Sequence, residues 1–321
     1  MSQSPPIKIA VLDDFQNVAL SMADWSKVTA RAEVTVFSDH LADPDDVIAR
    51  LRPFDAICVM RERTPLPRHV LEALPRLRLI ASTGAVNSAI DVKAADELGI
   101  KVVHTGYSST ATIEFTWALI LAAVRNIAIE SSSVRSGGWQ RMIGGDLKGK
   151  TLGVLGLGNI GGPVARIGQA FEMEVIAWSE NLTVERAEAA GVERVDRDEL
   201  LRRSDVLTIH LVLSRRTRGL VGERELGLMK PTALLVNASR GPIVVEADLI
   251  SALEQGTIAG AAIDVFEQEP LPADHPFRTL PQVLATPHIG YVSHDLYRTF
   301  YGDVVVNLEA WLDEGGPTGE R

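Results

Sequence analysis

One cysteine, Cys58, stands in 321 residues, which excludes an intrachain disulfide and any metal cluster built from several thiolates. Basic residues are scarce: 32 Lys+Arg face 42 Asp+Glu, a formal charge of −10, with no run of five basic side chains. Such a field repels phosphate backbones and anionic lipid, so neither nucleic acid nor a membrane surface is expected as a partner. Long apolar runs are missing too. The stretch at residues 117–124 is among the longest and falls well short of the ~20 residues a membrane span needs. The opening Met-Ser-Gln-Ser-Pro-Pro lacks the basic start and apolar stretch of a signal peptide. These absences predict a soluble cytoplasmic protein in a reducing compartment, with a loose glycine-rich tail at residues 315–319.

What is present is a core. The chain is 46% hydrophobic and 23% charged, and its length suits two domains. Short apolar runs recur at residues 7–12, 34–37, 56–60, 77–82 and 101–104, separated by segments such as 44–51 and 66–74 with apolar residues three and four apart. Strands buried on both faces read as continuous runs rather than alternations, so the pattern is that of a parallel sheet. A long helix is predicted from Thr110 to about Ser133, capped by Ser109 or Thr110, followed by a polar, glycine-rich connection to Lys150. A second strand series follows at 151–155, 174–178, 206–211, 233–237, 259–265 and 283–286, and an amphipathic helix at 292–311 closes the chain. The predicted fold class is α/β, with two doubly wound parallel-sheet domains.

Between the first strand of the second series and a helix-compatible run lies Gly156-Leu157-Gly158-Asn159-Ile160-Gly161. In that context the first glycine permits a tight turn, the second lets backbone approach a pyrophosphate, and the third lets helix and strand pack closely. The helix N-terminus then offers N–H groups to the phosphates. The strand that follows ends in Ser179-Glu180, where a ribose-binding acid is expected. Glu180 would repel a 2′-phosphate and no Arg or Lys stands beside it, so NAD is expected, with NADP the alternative.

Three later strands each end in a charged or titratable group: Asn237-Ala238-Ser239-Arg240, Asp264 through Glu269, and Thr286-Pro287-His288. Ligands of such sheets sit beyond the carboxyl ends of the strands. Arg240 would hold a carboxylate in its fork and polarise an adjacent carbonyl. His288 would exchange a proton with the carbonyl oxygen, and Glu269 beside it would favour the imidazolium. Each alone has a plainer reading, as a salt bridge, a solvated acid and a loop histidine. Their joint position after successive strands argues for hydride chemistry.

With these motifs, and with Asp146-Leu147-Lys148-Gly149-Lys150 leading into the glycine loop and Glu269-Pro270-Leu271-Pro272 beyond the acids, the chain resembles the D-isomer-specific 2-hydroxyacid dehydrogenase family. The resemblance covers essentially the whole chain. It implies a flavodoxin-like substrate domain at residues 1–108 completed by 292–321, an inserted NAD-binding Rossmann domain at 109–291, and interconversion of a small 2-keto acid and a D-2-hydroxy acid. Arg240, Glu269 and His288 take the family's catalytic roles, Glu269 raising the proton affinity of His288. Asp264 would meet the nicotinamide carboxamide, and Ala238 and Ser239 would line the coenzyme. Asn159 and Ile160 would face the pyrophosphate and Thr112 a phosphate, with Gly156, Gly158, Gly161, Ser179, Glu180, His210 and Gly290 completing the coenzyme set. Thr83, Gly84 and Ala85 would belong to a substrate loop whose backbone N–H groups bind the carboxylate, with Arg61 at the cleft mouth. A homodimer is implied, joined partly through an arm at 126–146 carrying Trp139; no metal is.

The chain departs from the family in three places. The usual Asp after the second coenzyme strand is Ser179, the substrate-loop Asn-x-Asp is diluted to Asn87-Ser88-Ala89-Ile90-Asp91, and no proline follows His210-Leu211. Glu269 argues against formate dehydrogenases, which carry an amide there. A phosphoglycerate dehydrogenase with a regulatory domain is not expected of a chain ending soon after Trp311. A phosphite-type dehydrogenase and a non-enzymatic NAD-sensing dimer remain the alternatives.

Overall fold

The computed structural model describes residues 6–318. The first five residues, which bear on the signal-peptide reading, and residues 319–321 of the tail lie outside the described residues. The chain divides into two compact units, one running up to Ser108 and resuming at Val292, the other Ser109–Tyr291.

The first unit is a five-stranded sheet in the order β2-β1-β3-β4-β5, formed by β1 (Ile7–Val11), β2 (Ala32–Val36), β3 (Ala56–Val59), β4 (Leu79–Ser82) and β5 (Lys101–His104). Every pairing is parallel. All four residues of β3 and of β4 are buried, which is why their sequences, Ala-Ile-Cys-Val and Leu-Ile-Ala-Ser, show no alternation. The closing helix, His294–Asp313, starts at Ser293, whose hydroxyl accepts the Leu296 N–H. It packs against β4 and buries Leu296, Phe300, Val304 and Leu308, a stripe at four-residue spacing. The tail expected to be loose forms a 3-10 turn at Gly316–Thr318.

The second unit is a seven-stranded, all-parallel sheet in the order β12-β11-β10-β9-β6-β7-β8. Its strands are β6 (Thr151–Leu155), β7 (Glu174–Trp178), β8 (Glu193–Arg194), β9 (Val206–Ile209), β10 (Leu234–Asn237), β11 (Gly260–Ile263) and β12 (Val283–Ala285). The order reverses at β6 and β9, which makes the carboxyl ends of those strands the crevice for a ligand.

The single long helix predicted from Thr110 is instead two, Thr110–Val124 and Ile127–Arg135, bent by 66°. The break falls on Asn126 at φ 53°, a left-handed conformation that asparagine adopts more readily than most residues. Ser109 is the N-cap residue of the first helix, and its side chain makes no capping hydrogen bond. Among the described residues no single helix is long and apolar enough to cross a membrane.

Candidate active site

The glycine turn is dictated by contact. Gly156 follows β6 at φ 107°, and a Cβ there would lie 2.7 Å from the His210 carbonyl oxygen. A Cβ on Gly161, the first residue of the helix Gly161–Ala170, would lie 2.0 Å from the Gly156 carbonyl oxygen. Around Gly158 the space is open, with nothing within 4 Å of an added Cβ. No side chain caps the helix, so its first N–H groups, at Ile160 and Gly161, are presented as an anion site. This arrangement fits a dinucleotide pyrophosphate: close where strand and helix must pack, open where backbone must approach phosphate. Ser179 and exposed Glu180 lie just beyond β7, and Thr112 is buried in the first turn of the helix Thr110–Val124. The His210 imidazole bonds the Thr208 hydroxyl at 2.9 Å. Burial pushes it down to about 4, so it presents no charge to this crevice at neutral pH.

Beyond β10, β11 and β12 the predicted titratable groups converge. His288 Nδ1 lies 2.5 Å from Glu269 Oε2, and Glu269 Oε1 accepts the Phe266 N–H at 2.9 Å. Burial pushes the Glu269 carboxyl up. The hydrogen bond and charge of His288, the Phe266 N–H and the Arg240 guanidinium outweigh that and hold it below the ordinary carboxylate range. Arg240 stands on the Ser239 carbonyl, to which Nη1 donates at 2.7 Å, while Asn237 Nδ2 donates to the Arg240 carbonyl at 3.1 Å. Ala238 and Ser239 are half-buried, and the Ser239 hydroxyl donates to the Leu211 carbonyl at 2.5 Å.

His288 is held at φ 53°, a conformation disfavoured for a residue with a Cβ. Asp264 secures that turn. Its Oδ1 accepts the Thr286 hydroxyl at 2.7 Å and the Ile289 N–H at 2.9 Å, and its Oδ2 accepts the Gly290 N–H at 2.8 Å. The role the structure gives Asp264 is this one: the residue is 0% exposed, and its carboxylate holds the His288 turn. Burial raises its affinity for protons despite these donors.

The residues expected of a substrate loop lie in the first unit. Thr83 is buried; its N–H donates to the Val59 carbonyl and its hydroxyl accepts the Arg61 N–H at 2.8 Å. The Gly84 N–H is taken by the Thr105 hydroxyl at 2.7 Å. Both residues thus build the loop rather than present free donors, a correction to the expected carboxylate nest, and only Ala85 and Val86 of the segment are exposed. The Arg61 guanidinium pairs with Glu62 at 3.6 Å and lies 5.3 Å from the Tyr107 ring centroid.

Two features escape sequence reasoning. In the first unit, buried Asp13 accepts the Thr64 hydroxyl at 2.6 Å and meets His40 Nδ1 at 2.8 Å. In the second, Glu246 Oε1 meets His275 Nε2 at 2.9 Å. Each pair joins residues far apart in sequence, and no spacing rule announces them.

Residues 117–290 match the family described as D-isomer specific 2-hydroxyacid dehydrogenase, NAD binding domain. A glyoxylate reductase of Aeropyrum pernix is 43% identical over 268 residues, covering 80% of this chain and 79% of that protein. A D-3-phosphoglycerate dehydrogenase of Methanocaldococcus jannaschii is 41% identical over 250 residues, 77% of this chain but 47% of that protein. Among solved structures, a phosphoglycerate oxidoreductase of Vibrio cholerae O395 superposes with a TM-score of 0.91 at 37% identity, covering 96% of this chain and 99% of that one.

Proposed function

This chain belongs to the D-isomer specific 2-hydroxyacid dehydrogenase family, and from that premise we propose that it interconverts a small 2-keto acid and the D-2-hydroxy acid with NAD(H), using Arg240, Glu269 and His288. The observation that carries the reading is the 2.5 Å His288–Glu269 contact beside the charge of Arg240, at the carboxyl end of a parallel sheet whose glycine turn fits a dinucleotide.

Nicotinamide, when bound, supplies hydride to the carbonyl carbon or accepts it from the alcohol. The protein's part follows from its charges. Arg240 takes the substrate carboxylate in a two-pronged bond and polarises the neighbouring carbonyl. With Nδ1 turned to Glu269, the His288 ring has Nε2 to give a proton to the carbonyl oxygen in reduction and to receive one in oxidation. Glu269 stays ionised below the ordinary carboxylate range, so an anion stands beside the imidazolium whenever it forms. Asp264 positions His288 by gripping residues 286–290.

The test is nicotinamide absorbance followed with purified protein against glyoxylate, hydroxypyruvate, pyruvate, branched 2-keto acids and oxaloacetate. Turnover of at least one acid is expected. Glu180 sets the coenzyme preference: NADH should exceed NADPH in kcat/KM by about tenfold, since its carboxylate, standing just beyond β7, repels a 2′-phosphate placed beside it. Glu180→Gln should narrow that ratio; a wild-type preference for NADPH overturns the assignment.

The arm at residues 126–146 is the proposed contact with a second copy. Glu130 Oε1 accepts the Arg141 and Met142 N–H groups, and the Ser133 hydroxyl donates to the Trp139 carbonyl, so the arm is held in shape. Yet Trp139 is 74% and Ile143 98% exposed, which an isolated unit does not favour. Trp139→Glu together with Ile143→Glu should convert dimer to monomer in sedimentation velocity. A wild-type protein that sediments as a monomer contradicts the proposal.

A further inference from the structure

We propose that Glu246 and His275 form a positioning staple that fixes Glu269, and through it the orientation of His288. The inference rests on the catalytic reading of Glu269 and His288 given above.

Glu269 lies in residues 264–282, between β11 and β12, whose only regular element is a 3-10 turn at Pro276–Arg278. Beyond a few turn hydrogen bonds over residues 272–280 such a segment has no ladder to hold it, so side chains carry much of the work of fixing the stretch around Glu269. Glu246, the first residue of the helix Glu246–Glu254, supplies the tie. Its Oε2 accepts the Glu267 N–H at 3.2 Å and its Oε1 meets His275 Nε2 at 2.9 Å. His275 Nδ1 accepts the Phe277 N–H at 3.2 Å, which places the ring proton on Nε2 and makes His275 a donor to Glu246 in its neutral form. Residues 267 and 275 flank Glu269, so one carboxylate grips the loop on both sides. Phe277, 3% exposed, anchors the far side.

The same carboxylate joins this loop to the segment that carries Arg240. Just after Arg240, the Gly241 backbone lies against that of Phe266, so closely that a Cβ on Gly241 would sit 2.1 Å from the Phe266 carbonyl carbon. Phe266 is in turn the residue whose N–H Glu269 binds. The arrangement suits a carboxylate at position 246: the Glu267 N–H and His275 Nε2 each take a different oxygen, and an amide would put a donor NH2 group in place of one of them. Its place in the first helical turn also suits an anion.

The experiment compares Glu246→Gln and His275→Asn, each alone and each combined with Glu269→Gln. The asparagine keeps an acceptor for the Phe277 N–H on a shorter side chain. Each single variant should lower kcat about tenfold, with the keto-acid KM and the dissociation constant of NADH, read by nicotinamide fluorescence, within about twofold of wild type. In the Glu269→Gln background the further loss should be under twofold, because the staple acts only through Glu269. Full additivity in that background, an unchanged kcat in both single variants, or a loss that tracks the NADH constant would each overturn the staple. If Glu269→Gln alone leaves kcat unchanged, the catalytic reading of Glu269 falls, and that variant identifies it as the part that failed.

Discussion

His288→Asn should lower kcat by about 10³-fold, within the range that a positioned acid or base contributes, while NADH still binds. Asparagine is chosen for the backbone. Position 288 is left-handed, at φ 53°, and asparagine tolerates that region better than alanine, so the turn held by Asp264 is kept and the loss reports on proton transfer. The amide neither gives up nor takes a proton near neutral pH. Steady-state rates with the best keto acid, together with a fluorescence titration of NADH, separate the two effects. A fall in kcat of less than about tenfold would remove His288 from the acid–base role; a parallel loss of coenzyme affinity would show a collapsed turn instead.

Replacing Arg240 should cost as much and in a different place. Arg240→Met removes the fork for the carboxylate and the charge beside the carbonyl. Two charge-assisted hydrogen bonds at about 1.5–3 kcal/mol each correspond to roughly 10²- to 10⁴-fold in kcat/KM for the keto acid, while the NADH dissociation constant is unchanged. Arg240→Lys keeps the charge but loses the planar fork, and should recover only part of the loss. A second effect has a definite sign. The Arg240 guanidinium is one of the groups holding Glu269 below the ordinary carboxylate range. Without it Glu269 binds a proton more readily, so the acid limb of the kcat profile moves to higher pH in Arg240→Met. Glu269 must be ionised to stand beside the imidazolium, so activity fails as pH falls through its titration, and fails sooner in the variant. A limb that stays in place separates Arg240 from Glu269; one that moves to lower pH contradicts the electrostatics.

Much of this was legible in the residues because strong local rules applied. β6 and β7 occupy the predicted residues, 151–155 and 174–178, since a strand buried on both faces is a compact apolar run with sharp edges. The glycine turn was legible because only glycine fits beside the His210 and Gly156 carbonyls. What stayed hidden depends on tertiary contact. β8 is two residues, Glu193–Arg194, too short and too polar for any periodicity to mark. The helix break at Asn126 follows from one residue's backbone conformation inside an otherwise helical pattern. The grip of Asp264 on the His288 turn is invisible in sequence, because its donors, Thr286, Ile289 and Gly290, lie more than twenty residues away. The resemblance implies that Thr83 and Gly84 donate to a substrate, but their partners, Val59, Arg61 and Thr105, come from neighbouring strands and loops. Glu246 and His275 meet across 29 residues, each alone an ordinary exposed-looking polar residue.

The central claim is that hydride passes between nicotinamide and the carbon bearing the keto group, with the proton managed by His288. The most direct measurement uses NADH dideuterated at C4 of the nicotinamide with a chiral-product keto acid such as pyruvate or hydroxypyruvate, and reads the hydroxy acid by mass and by enantiomer. One deuterium at C2 of the D-enantiomer is the expected result. Unlabelled product, the L-enantiomer, or no hydroxy acid from any of the acids tested while NADH binds would contradict it.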